Sequence, residues 1–437
     1  MKGNREKVKF WFVLLLAAGP ITVCQSQEKI TLADCYALAA RKSAIAGEAV
    51  KYSEIWKLRD ASLASSWFPS LDASANAVYN SEVIDLGSNF SSIPIPGLAS
   101  AIKPMPHEQY RITVDISQTI YDGGAVKNSR KAELADLEVN RQQSEVDLYS
   151  LNSQVNSAFF SVLSAQKQKE LLSIFLNLLR ERMKSVESGV KNGVVQATDI
   201  DALNSEILKT EQQIEEISLK SAALLQVLGS LTGKNGLTAD DLIIPSLEEP
   251  TDSLLLRPEL ELFDLRINQL NTAAQLLDSR RKPRAFGFAT LGYGNPPGNN
   301  FLRDEFAPYY VIGAGIKWNI YDWSRTRNDK QAIKIKTDIL SGRKNETEET
   351  IRRQMELKES EIKSLRAIIR RDSEIIELRK RISSSTLSKY ENGVVTASEL
   401  LSDLNAEKQA LINLELHKTG LELALAEYMN ITGNKLK

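Results

Sequence analysis

Few side chains in this 437-residue sequence come in types and spacings suited to chemistry. There are two histidines and two cysteines. His107 sits in a Pro-flanked loop and His417 in a helical stretch, with no Cys or second His at ligand spacing, so no metal site is expected. GYGNPPGNN (Gly292 to Asn300) is glycine-rich, but it reads as a hairpin loop, not a phosphate-cradling turn after a strand. Acidic residues are spread along solvated helix faces, the usual fate of charge in coiled coils. The formal net charge of −1 gives no reason to expect a nucleic-acid partner. The sequence therefore predicts no enzyme activity and no cofactor. Cys35, inside a helical pattern, reads as a buried unpaired thiol.

The other cysteine belongs to the N-terminus. Lys2, Arg5, Lys7 and Lys9 precede the apolar run FWFVLLLAA (Phe10 to Ala18), the layout of an export signal spanning about residues 1–26. Cleavage after Ser26 is one reading. Cys24 as a lipidated first residue is the other, although the valine before it fits that processing poorly. No 18-residue apolar run follows, so no membrane-spanning helix is expected.

The elements that organise the chain are written twice. KNGVVQATDI (Lys191 to Ile200) returns as ENGVVTASEL (Glu391 to Leu400), 200 positions later. At the same offset IYD recurs in SQTIYDGGAVKN and KWNIYDWSRTRN, and SLTG (Ser230 to Gly233) is echoed by NITG (Asn430 to Gly433). Three landmarks in one order predict two internal structural repeats, residues 28–235 and 257–437, joined by a connection at 236–256.

Each repeat carries a long helix, over 125–188 and 324–390. Only Gly342 interrupts the second. Leu148, Leu151, Val155, Ala158, Val162 and Ala165 keep the spacing of a coiled-coil seam. Ile351, Met355, Ile362, Leu365, Ile369 and Ile376 continue it in the second repeat, with Lys358 and Asp372 breaking the stripe. Shorter helices laid end to end match the long ones in length, at about 32–66 and 198–230, then 258–281 and 397–430. The NGVV segments, tips at 189–197 and 391–397, reverse the chain. Gly193 and Gly393 supply the left-handed residue that ends a helix. Thr396 with Glu399 forms a capping box, and Thr198 with Asp201 is the expected substitute in the first repeat.

Between helices the period falls to two. Strands are expected at about 69–80, 109–121, 284–294 and 308–321, each about as long as a strand that crosses an outer membrane at a tilt. Tyr110, Ile112, Val114 and Ile116 alternate with polar residues, as do Leu71, Ala73, Ala75 and Ala77. The facing of 284–294 cannot be read. Spanning strands must close into a barrel, and four are too few, so two, three or four copies would pool 8, 12 or 16 strands. A non-membrane periplasmic coiled-coil scaffold is the alternative, and it leaves these alternating strands unexplained.

With the export signal, the doubled helix–hairpin–helix layout, RPEL (Arg257 to Leu260) and IYD, the chain resembles the outer membrane efflux protein family, the TolC-like exit ducts. The resemblance implies a mainly α fold with a β-barrel part. A homotrimer would build a 12-stranded barrel in outer-membrane lipid and a coiled-coil tunnel across the periplasm. It implies a passive outlet for efflux or type I secretion, coupled through a periplasmic adaptor to an inner-membrane pump of the RND or ABC type. The adaptor would dock at Gly193, Val194, Val195, Gly393, Val394 and Val395. The family's acid six positions past each tip glycine falls on Asp199 and Glu399, which would ring the aperture. Tyr390 matches the family's tyrosine that bonds the acid of the neighbouring tip, here Asp199. Val395 stands where an arginine can serve the same latch.

Overall fold

The computed structural model describes residues 29–85, 104–193, 195–247, 255–300 and 303–434. The expected export signal, Cys24 and Val194 lie outside the described residues, as do parts of both hairpin loops and of the connection. The helices are α1 (Leu32–Lys42), α2 (Glu48–Ser65), α3 (Ala125–Lys191) and α4 (Ala197–Thr232), then α5 (Pro258–Ser279), α6 (Arg325–Glu391) and α7 (Ala397–Thr432). The strands are β1 (Ser70–Tyr79), β2 (Glu108–Tyr121), β3 (Arg284–Asn295) and β4 (Ala307–Lys317). No described helix is long and apolar enough to cross a membrane.

The long helices form as the seam pattern predicts. α3 and α6 hold 67 residues each, about 100 Å of rod. On α3 the buried positions Val155, Ala158, Val162, Ala165, Leu172, Leu176, Leu179 and Val186 keep alternating three- and four-residue steps or their sums. On α6, Ile351, Met355, Ile362 and Ile376 are buried against α7. The polar breaks in that stripe have partners on α7. Lys358 Nζ donates to Glu427 at 2.7 Å, and His417 Nδ1 lies 2.6 Å from Asp372. Thr386 donates to Asp403 at 2.6 Å nearer the tip. A slip of α7 along α6 would bury these groups without partners, so the polar pairs set the register that a uniform apolar seam leaves loose.

The helices stand in a row. α3 packs on α2 and α4, which follow one another along it, and also on α5 and α7, which separate it from α6. One edge of the row is therefore α2 and α4, and the other is α6. Midway along α3, Phe159 and Phe160 pack with Ile30, Leu32, Leu228 and Leu242 into an equatorial core. Cys35 is fully buried there, and burial pushes its thiol up to about 12, so it stays protonated and inert. Ile30 bridges Leu242 in parallel, and Glu422 accepts from Leu247 N at 3.2 Å, which ties the connection to the outside of the row.

The strands form one antiparallel sheet in the order β1-β2-β3-β4. Leu71, Ala73, Ala75 and Ala77 face Ile116, Val114, Ile112 and Tyr110 in register. Those β2 residues are paired in turn with Ala289, Leu291, Tyr293 and Asn295, and Ile312 and Tyr310 lie opposite Ala289 and Leu291. Paired residues share a face, so Ala289, Leu291 and Tyr293 join the apolar side and the facing of β3 is settled. The opposite face is polar across β1 and β2. Asp115 accepts from Thr113 at 2.9 Å and from Thr290 at 2.6 Å, and Ser74 lies 2.9 Å from Thr113. On β3 the same face carries Phe286 and Phe288. Their rings lie over Gly315 and Gly313, where a Cβ would come within 2.6 and 2.5 Å of them.

β4 departs from the expected 308–321 and ends at Lys317. Its only described neighbour, β3, begins at Arg284 directly after Pro283, which has no N–H to extend the ladder. Trp318 instead donates its indole N–H to Arg281 O at 2.9 Å. The repeated IYD aspartates, quoted only as landmarks, start the long helices. Asp122 accepts from Gly124 N at 2.7 Å and from Val126 N, and Asp322 accepts from Thr326 N at 3.0 Å.

Candidate functional site at the hairpin tips

Both tips stop their helices the same way. Gly193 (φ +69°) and Gly393 (φ +73°) take the left-handed conformation that a side chain would strain, and nothing crowds either. Their amides bond back to Val190 O at 3.0 Å and Tyr390 O at 2.9 Å. Both glycines are exposed, as is Val394, whose amide reaches Lys389 O at 2.9 Å. Val195 and Val395 are half-buried. Val195 turns onto its own hairpin, filling the space above Gly189, where a Cβ would lie 2.6 Å from its methyl group.

The next helices begin differently. Thr396 and Glu399 form the expected box, with Glu399 N donating to Thr396 Oγ1 at 3.3 Å and Thr396 N to Glu399 at 3.2 Å. In the first repeat the expected Thr198–Asp201 cap does not form. α4 starts at Ala197, two residues before a helix capped by Thr198 would, with Gln196 at the cap position making no side-chain capping bond. Thr198 is inside the helix and donates to Gln196 Oε1 at 3.4 Å. Thr396→Ala is expected to destabilise the start of α7 by about 1 kcal/mol. The check is faster amide exchange at Ala397 to Glu399 than in the unsubstituted protein, with the first repeat unaffected.

This difference separates the two acids expected at the aperture. Glu399 is occupied by its own helix start, whereas Asp199 is half-buried and close to Tyr390. The Tyr390 hydroxyl is buried and has no hydrogen-bond partner among the described residues. Burial, and then the Asp199 carboxylate, push its pKa up. Tyr390 packs with Leu203, Leu400, Leu401 and Leu404 around a cavity of about 40 Å³ between the tips, and Arg182 reaches across to Glu391 at 3.5 Å.

Above the tips lies a group that sequence reasoning missed. Lys408 of α7 is buried, with 8% of its side chain exposed, and its Nζ stands 3.5 Å from Glu206 of α4 and 4.4 Å from the centre of the Phe175 ring. Burial lowers the Lys408 pKa, against the opposing pull of Glu206. The contact is an ion pair without a hydrogen bond, and Glu206 Oε1 has no donor among the described residues. The pair joins the two repeats directly. A lysine amid acidic helices gives no sign in sequence that it will be buried. No group of His, Cys, Asp or Glu among the described residues is arranged to hold a metal ion.

Comparison with known proteins agrees with this architecture. Residues 61–234 match the family model described as outer membrane efflux protein, which bears out the resemblance over that segment. The Campylobacter jejuni CmeC outer membrane channel superposes with a TM-score of 0.64 at 15% identity, covering 93% of this chain and 86% of that one. The Vibrio cholerae outer membrane protein VceC gives 0.65 at 15%, covering 93% and 97%. The open state of the Neisseria gonorrhoeae MtrE outer membrane channel gives 0.66 at 16%, covering 93% and 89%. No curated protein matches the chain. At these identities the solved structures share the fold, a helical row with a small sheet at one end.

Proposed function

We infer, from an outer membrane efflux protein segment at residues 61–234 and a fold shared with outer membrane channels along nearly the whole chain, that this protein is an efflux exit duct of the outer membrane reaching into the periplasm. One observation carries the reading. The sheet turns an apolar face to solvent, with Tyr310, Ile312 and Ile316 at 73, 75 and 78% exposed, and both its edges, β1 and β4, are unpaired among the described residues. A chain in water would cover such a face and such edges. Lipid covers the face, and pairing of β4 with β1 of the next copy removes the edges. Three copies close a 12-stranded barrel of the outer-membrane type, with Asp115 and its threonines on the inner wall. The helical rows continue it as a tunnel.

The duct is passive, and energy comes from an inner-membrane pump of RND or ABC type through a periplasmic adaptor. The exposed Gly193, Gly393 and Val394 are the adaptor's contact surface at the tips, with Val195 and Val395 behind them. Asp199 and Tyr390 narrow the aperture, and Glu399 caps α7. Purified from detergent-extracted membranes, the protein should migrate as a heat-modifiable trimer and give ion channels in planar bilayers. Asp199→Ala with Tyr390→Phe should raise the resting conductance. A detergent-free soluble monomer overturns the duct, and unchanged conductance in the double variant removes Asp199 and Tyr390 from the closure.

A further inference from the structure

We propose that neighbouring copies meet along one seam, in which α6 of one copy packs on α2 and then α4 of the next, joined near the tips by an Arg371–Glu215 ion pair. The proposal rests on the duct assembly above and names the faces that hold it together. α6 carries two apolar stripes. One is buried on α7. The other runs one position behind it, at Leu357, Ile368, Ile375, Leu378 and Ile382, all exposed and in the three–four spacing of a seam or its multiples. At the opposite edge of the row Ile55 and Leu58 of α2, and Leu208 and Leu219 of α4, are exposed as well.

Rotation about the duct axis preserves height, so residues that face one another between copies can be found from heights within one copy. Near the tips, Lys408–Glu206 sets α7 against α4, while Ser383–Glu407 and Asp372–His417 set α6 against α7. Carried across, Leu208 comes level with Leu378 and Ile382, and Leu219 with Ile368, each within about one helical turn. Toward the barrel, Arg130–Asp60, Asn128–Ser279 and Lys330–Asp278 play the same part. They bring Leu58 level with Ile335 and Ile55 with Ile339, again within about one turn, and both isoleucines are exposed. Exposed apolar residues thus meet exposed apolar residues in both halves of the row.

Charge points the same way. α6 holds 18 Lys and Arg against 12 Asp and Glu, and α4 holds 2 against 6. Arg371 and Glu215 are exposed, fall at matching heights, and have no ion-pair partner among the described residues. Opposite charges on facing stripes favour this pairing over α6 against another α6, where the basic runs would repel.

The test uses the full mature chain in detergent. Leu208→Cys with Leu378→Cys should give disulfide-linked oligomers on oxidation, because the two positions are level but stand on opposite edges of the row within one chain. Leu219→Cys with Leu378→Cys, displaced by about 13 Å along the helices, should give none, since a disulfide tolerates only a few ångströms of misplacement. Arg371→Glu and Glu215→Arg should each cut the heat-resistant trimer about fivefold, and the double reversal should restore it. A trimer that forms normally but ignores both the level of the cysteines and the sign of the charges overturns the seam and leaves the duct standing. If the unsubstituted chain forms no oligomer, the duct falls and the seam falls with it.

Discussion

Ile312→Arg is expected to abolish stable assembly in the outer membrane. Ile312 lies midway along β4 on the apolar face, opposite Ala289, and is 75% exposed in the single chain. A cation at the middle of a spanning strand costs about 2–4 kcal/mol, and a trimer would bear that cost three times. The adjacent residue Val311 belongs to the other face, paired with Thr290. There an arginine would point into the water-filled lumen. Val311→Arg should therefore fold and trimerise while altering conductance. The measurement is the heat-modifiable band in outer-membrane fractions. Two variants that behave alike would mean that no face of this sheet meets lipid.

That contrast depends on a facing the sequence left open in one strand. β1 and β2 alternate cleanly, so their apolar sides were legible. In β3, Phe286 and Phe288 compete with Ala289 and Leu291, and the bulkier residues lie on the inner face. They fit because glycines stand across from them in β4, a pairing that exists only once the register is set. The long helices were legible for the opposite reason. Their seams need no distant information, and the recurrence of NGVV marks both reversals. Lys358 and Asp372 appeared only as breaks in the α6 stripe. Their partners, Glu427 and His417, lie far along the chain and become visible when α7 folds back. The Thr198–Asp201 cap failed because α4 starts at Ala197, two residues too early for Thr198 to stand at the cap. The turns could thus be placed from sequence, but the different surroundings of Asp199 and Glu399 could not.

The Lys408–Glu206 pair supplies the second large effect. Lys408→Met removes the cation and keeps most of the side-chain volume, leaving a carboxylate whose own side chain is 12% exposed. Breaking one side of a buried pair typically costs about 3–5 kcal/mol. Lys209, 3.7 Å from Glu206 and largely exposed, offsets part of this, so a loss of about 2–3 kcal/mol is expected. Lys408→Met with Glu206→Gln should recover much of it, because no buried charge then remains. The functional consequence follows from position. The pair ties α4 of the first repeat to α7 of the second just above the tips, where Phe175, Leu203 and Leu404 belong to a core that joins the two hairpins. Loosening that tie should let the hairpins part, raising the resting conductance in bilayers and sensitivity to large hydrophilic antibiotics in cells. Glu206→Gln alone, which leaves a buried ammonium over the Phe175 ring, should loosen it too. If conductance follows neither single variant while thermal stability falls in both, the pair holds the fold together and has no part in the opening of the tips.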